Sequence, residues 1–204
     1  MADVRAPDDV DTAIDGRTAR RDRNRVAVLD AVLDLFAEGE LDPSPEAVAR
    51  RSGVSLRSVY RYVADREDLT RAAIARHTEK VGRLVAIPGF GHGPLAERVE
   101  RFVAARLRLY DAVAPVHRAS RLRAPASPVI AEQLASGRIA MREQMEHQFA
   151  VELRPLAARE RRNVGAAVDA LTQLESLEHL RDHRGMSSRV ARDVLVHALI
   201  RLLS

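Results

Sequence analysis

The side chains of this sequence best spaced to act together are hydrogen-bond donors on one short run, Ser55-Leu56-Arg57-Ser58-Val59-Tyr60-Arg61-Tyr62. Arginine presents five N–H groups in a rigid fork, which matches the O6 and N7 edge of guanine or the oxygens of a phosphate. Arg57 suits either acceptor, and Ser58 and Tyr60 can donate to phosphate or to base. Catalytic constellations are missing from the sequence. It holds no Gly-x-Ser-x-Gly elbow, no phosphate-cradling glycine loop and no cysteine, so a thiol nucleophile, a disulfide and a thiolate metal site are excluded. His179 and His183 have the i, i+4 spacing of a shared metal, but no third ligand lies near them in sequence. Glu97 to Glu100 reads as a solvated helix face. The chain is therefore read as a non-enzyme without metal or cofactor.

To face one partner together, these donors need a short helix braced from beneath. Val59 and Val63 are spaced to anchor such a helix, and Val54 to plug the core beside it. Ser55, Leu56, Arg57, Ser58, Tyr60 and Arg61 are left on its more exposed sides. Upstream, Ser44 is an N-cap residue and Pro45 suits the first helical position, which opens a second short helix to about Ser52. Val48 and Ala49 face its partner, and Gly53 can take the positive φ of a sharp turn. Two short helices around such a turn make a helix-turn-helix, about 45–63. Before it, a helix from about Arg23 to Glu38 carries the stripe Leu29, Val32, Leu33, Phe36 and ends at Gly39. After it, Asp65 is placed to cap a helix from Arg66 to about Ile87.

The remainder also reads as helix, so the fold class is all-α. Residues 1–20 read as a flexible tail whose acidic start runs into a basic arm over 17–25, with Arg17, Arg20, Arg21, Arg23 and Arg25 against Asp22. That basic arm is either a solvated segment or a reader of the minor groove. Pro88-Gly89-Phe90-Gly91-His92-Gly93-Pro94 is the strongest breaker in the chain. Beyond it the pattern predicts helices over about Leu95–Ala114, a short one bracketed by Pro115 and Pro125, then Val129–Leu153, Ala158–His183 and Ser187–Leu203. The domain reading is 1–20 tail, 21–70 helix-turn-helix domain and 71–204 C-terminal domain. No run of about 18 apolar residues exists, and the acidic N-terminus lacks the apolar segment of a secretory signal, so a cytoplasmic protein without a membrane partner is expected. A net charge of +4 is too small by itself to argue for nucleic acid.

Taken together, Phe36-Ala37-Glu38, Gly39, Val48-Ala49, Ser52-Gly53-Val54-Ser55, Tyr60-Arg61-Tyr62-Val63 and Arg66-Glu67-Asp68-Leu69 resemble the N-terminal domain of TetR-type repressors, over roughly residues 23–75. Ser52, Val63 and Arg66 depart from the family's common alanine, phenylalanine and lysine. The resemblance implies a DNA-binding transcriptional regulator, most often a repressor released from a palindromic operator by a small molecule. It implies that Ser44 meets a phosphate at its helix N-terminus. It also implies that Tyr60, Tyr62 and Arg66 clamp the backbone, and that Leu56, Arg57 and Ser58 read bases. For Tyr60 a purely structural role stays open.

It further implies a homodimer whose last two helices, with stripes Leu171, Leu174, Leu177, Leu180 and Val190, Val194, Leu195, Ala198, Leu199, Leu202, form a four-helix bundle. Two readers would then stand about 34–36 Å apart on the double-stranded operator. The middle helices would enclose an effector pocket lined by Phe102, Tyr110, His117, Met141, Met145 and Phe149, residues that plain core packing explains equally well. With aromatic residues at 3% of the chain and tryptophan absent, such a pocket is mostly aliphatic and points to an apolar effector. The competing reading is a helical interaction or scaffold protein with a vestigial DNA reader. The effector, the operator, the target genes and the sign of regulation are not legible in the sequence.

Overall fold

A computed structural model describes the backbone of residues 8–63 and 66–204, and the side chains of 18–62 and 67–204. The described residues are helical without strands and divide into two compact units, Met1–His77 and Thr78–Ser204.

In the first unit, α1 (Asp8–Ala37), α2 (Pro45–Ser52), α3 (Leu56–Val63) and the greater part of α4 (Arg66–Gly82) follow one another. α1 begins at Asp8, well ahead of the Arg23 start that its apolar stripe predicted. No proline falls between 8 and 37, so a helix nucleated by its packed C-terminal half can propagate back through polar sequence. α1 buries two sides. Val28, Ala31 and Leu35 pack with Ala47, Val48, Val54 and Val59, while Leu29 and Leu33 pack with Ala73 and the half-buried Leu69 of α4.

α2 and α3 have the predicted bounds for local reasons. Ser44 has extended backbone, and its Oγ accepts from the Ala47 N–H at 3.2 Å. Gly53 takes φ 69° and closes α2 with its N–H on the Ala49 carbonyl at 3.0 Å. Arg51 of α2 pairs with Glu38 just beyond α1 at 2.7 Å.

The second unit holds α5 (Leu95–Arg123), a 3₁₀ turn, α6 (Pro128–Gln148), α7 (Ala150–Leu153), α8 (Ala158–Thr172), α9 (Leu174–Glu178), a π turn (His179–His183) and α10 (Ser188–Leu203). Three elements differ from the sequence reading. α5 runs through Pro115, where a break was expected. The ring forfeits one backbone bond, but Val113, Ala114, His117 and Ala119 are buried on either side of it. Phe149 (φ −113°, ψ 24°) interrupts the expected Val129–Leu153 helix while its ring fills the core. Gln173 (ψ 155°) divides the expected Ala158–His183 helix. The core collects Val99, Phe102, Val103, Tyr110, Met145, Phe149, Val168, Leu177, Leu195 and Leu199 around α5 and α10.

The glycine-rich segment 88–94 is tied down within this unit. Gln148, fully buried, accepts from the Gly91 N–H at 2.9 Å and donates to the Arg98 carbonyl at 3.1 Å. Arg98 donates to the carbonyls of Gly93 (3.0 Å) and Gln148 (2.7 Å) and pairs with Glu152. Arg101 donates to the His92 carbonyl.

Candidate nucleic-acid interface and the core of the C-terminal unit

Only one position of α3 with a described side chain is fully buried. Val59 is 0% exposed and holds the helix against α1 and α2. Ser55, Leu56, Arg57, Tyr60 and Arg61 are exposed, and Ser58 and Tyr62 half-buried. The structure therefore brings the predicted donors onto one accessible surface of a short, braced helix. Arg57 makes no hydrogen bond or ion pair with a described residue, so its fork is available. Ser55 and Ser58 join through their hydroxyls at 3.0 Å.

Two of the predicted donors have internal partners. The Tyr60 hydroxyl donates to Glu46 Oε1 at 3.0 Å, an acceptor that pattern reading did not weigh. Glu46 is held below the usual carboxylate range, first by a backbone N–H and then by that phenol, and Tyr60 is correspondingly raised. The Tyr62 hydroxyl donates to the Arg21 carbonyl at 3.2 Å, bracing α3 on α1. Thr18, Arg21, Asp22, Arg25, Arg61 and Tyr62 border a cleft of about 380 Å³ between these helices. The arginines at 20, 21, 23 and 25 thus lie along a helix, where a solvated flexible arm was one expectation and a minor-groove reader the other. Ser44 is exposed, with its oxygen engaged as the cap of α2. Val63 and Arg66, together with Arg17 and Asp65, lie outside the residues whose side chains are described.

Of the six residues expected around an effector, all are buried. Phe102, Tyr110, Met145 and Phe149 share one core cluster, with the two phenyl rings edge to face at 5.1 Å. Tyr110 also donates to Asp182 Oδ2 at 2.8 Å, which joins α5 to the π turn together with the Arg118–Asp182 pair, and the Arg121–Glu178 pair joins α5 to α9. His117 sits 3.8 Å from Glu175, and burial lowers its pKa below the ordinary imidazole value. Met141 lies over Arg106, which stands in the apolar stripe Val99, Phe102, Val103, Tyr110 and which the sequence reading passed over. The signal was an arginine seven residues after Val99 and four before Tyr110, on the buried side of the helix. His179 and His183 have ring centroids 6.0 Å apart, and among the described residues no cluster of three ligand-type side chains could hold a metal. None of the described helices is long and apolar enough to cross a membrane.

No family model matches the sequence, and no curated protein does. Structure is more informative. The crystal structure of a TetR-family transcriptional regulator from Streptomyces coelicolor superposes with a TM-score of 0.69 at 23% identity, covering 89% of this chain and 80% of that one. The expected all-α fold, a three-helix helix-turn-helix unit followed by a helical C-terminal unit, is the fold observed, and it is shared with a TetR-family regulator.

Proposed function

We propose that this chain is a sequence-specific DNA-binding transcriptional regulator that acts as a homodimer on an inverted-repeat operator and is released from it by a small molecule. The observation that carries the reading is the asymmetry of α3. Its underside is anchored by Val59, and its outer side offers Leu56, Arg57, Ser58, Tyr60 and Arg61 to a partner. Arg57, Leu56 and Ser58 read bases, and Ser44, Tyr60, Tyr62 and Arg66 hold the backbone. The shared fold supports the same reading.

Dimerisation is supported by α10, where Val190 and Val194, one turn apart, are 46% and 41% exposed. Leu195 and Leu199 of the same helix are spent on the chain's own core. The effector enters among the side chains around Phe102, Tyr110, His117, Met141, Met145 and Phe149. Its binding biases α4, which carries the chain from the reader into the C-terminal unit. A ligand can shift that balance only by its difference in affinity for the two conformations.

Selection from a randomised duplex pool tests the proposal, with wild type beside the Arg57→Ala, Tyr60→Ala double variant. Enrichment of an inverted repeat by the wild type alone is the expected result. A folded wild type that enriches nothing at moderate salt would replace this reading with that of a helical interaction protein whose reader is vestigial.

A further inference from the structure

Arg106 is a buried cation without a buried anion. It is 2% exposed, in the middle of α5. Its guanidinium lies 4.5 Å from the Phe102 ring centroid, Nη1 donates to the Gln144 side-chain carbonyl at 2.7 Å, and Nη2 donates to the Met141 backbone carbonyl at 2.8 Å. Both acceptors are neutral. Nε is buried and has no protein acceptor, and no described carboxylate lies within ion-pair distance of the group. Asp169 is the one acid whose field favours the charge, and it is occupied by Gln173 at 2.6 Å. Burial outweighs that field and brings the guanidinium pKa down to about 10, so the charge persists at neutral pH.

An arginine held charged and dry with only neutral acceptors is costly, since a buried ion normally requires a counter-charge. The other buried arginine of this unit, Arg98, obeys that rule through Glu152. One excess positive charge beside Phe102, with Nε unpartnered and both Nη groups on neutral carbonyls that a carboxylate would outcompete, is complementary to a monoanion with an apolar body. A phosphate would bring a second negative charge with nothing to meet it. We propose that the effector of this protein is an organic carboxylate, and that its head group is received by Arg106. This rests on the reading of the C-terminal unit as the effector module.

The same geometry supplies a route outward. Gln144, which holds Arg106 Nη1, also donates through Nε2 to the Val85 carbonyl at 2.6 Å. Val85 stands three residues beyond the last residue of α4. A carboxylate is a stronger acceptor for a guanidinium than a neutral amide. Its arrival draws Arg106 away from Gln144 and loosens the hold of Gln144 on the segment that leaves α4.

The experiment compares octanoate and 3-phenylpropanoate with octanamide and 3-phenylpropanamide, by calorimetric titration and melting temperature, on the full chain and on Arg106→Met and Arg106→Lys. At least one carboxylate is expected to bind the wild type and raise its melting temperature, with both amides inert. Arg106→Met should weaken carboxylate binding by about 10- to 100-fold. Without ligand it should melt at or above the wild type, because an uncompensated charge has been replaced by an apolar group. Arg106→Lys keeps the charge and should keep measurable carboxylate binding, so the comparison survives if the methionine variant fails to fold.

Inertness of both carboxylates overturns the proposal, as does an equal response to the amides. So does a folded Arg106→Met that binds the carboxylate as tightly as the wild type. Binding to the selected duplex is measured separately. Loss of carboxylate binding with DNA binding intact removes the site and leaves the regulator. Carboxylate binding by a protein that selects no DNA does the reverse.

Discussion

On the proposed reading, a DNA phosphate accepting from Tyr60 would have to displace the carboxylate of Glu46. At 3.0 Å from the phenol it competes for that proton, and its negative charge repels an incoming phosphate. Glu46→Gln should therefore tighten operator binding, by about two- to fivefold at low salt and less at high salt. Titration of the selected duplex at two salt concentrations checks this. Arg57→Ala should weaken binding by the roughly 1–3 kcal/mol of a bidentate guanine contact, with the loss confined to operators that carry the read base pair. A loss that is uniform across operator variants, with a salt slope reduced by about one, would make Arg57 a phosphate ligand instead.

His117 gives a pH prediction. Burial lowers its folded-state pKa from 6.5, against the pull of Glu175 and Glu178 and aided by Arg121 and Arg138. A base whose folded pKa is depressed binds protons more readily unfolded. Its contribution is thus complete above about pH 6.5 and is lost as pH falls toward the folded value. His117→Asn should melt with a shallower decline between pH 7 and pH 5 than the wild type. Sequence patterning placed Arg57 on an exposed side because its neighbours defined the buried one. It could not find Glu46 or Asp182 as partners, since they are 14 and 72 residues from the tyrosines they accept from, and only the fold sets those distances.

The elements most legible in the sequence were those set by local chemistry. Ser44, Pro45 and Gly53 fix both ends of α2 whatever the rest of the chain does, and α3 follows from the turn they impose. Gly53→Ala should accordingly destabilise the first unit by about 1–2 kcal/mol. At φ 69° the methyl group meets no neighbouring atom, so the cost is backbone strain alone. A denaturant titration followed by helicity checks it. Less legible were α5, which passes through Pro115, and the former long helix that divides at Gln173. In α5, tertiary burial overrides a local breaker. At Gln173 no glycine or proline announces the break, and Leu174 and Leu177 turn toward the core beyond it. The pocket expectation was legible only as burial, because a periodic apolar stripe has the same pattern whether it packs on itself or on a guest.

At the scale of the whole molecule, the proposed homodimer is the property to test. In the proposed dimer an isologous contact would place Val190 and Val194 near their symmetry mates, so a charge there would meet a like charge. Val190→Glu with Val194→Glu should halve the mass measured by light scattering and weaken operator binding, while the melting of the monomer changes little because both side chains are already largely exposed. If about eight phosphates are contacted by the dimer, the plot of log affinity against log salt should slope near −7.

The segment 88–94 reads from sequence as the natural place to sever the chain, with its three glycines and two prolines. Arg98, Arg101 and Gln148 hold its backbone at Gly91, His92 and Gly93. It should behave accordingly in exchange and digestion. The amide of Gly91 should trade its hydrogen for deuterium slowly for a loop, and proteases should spare this stretch until Arg98 is replaced. Anyone dividing this protein into pieces should cut elsewhere, because a break at the glycines would tear open the C-terminal half.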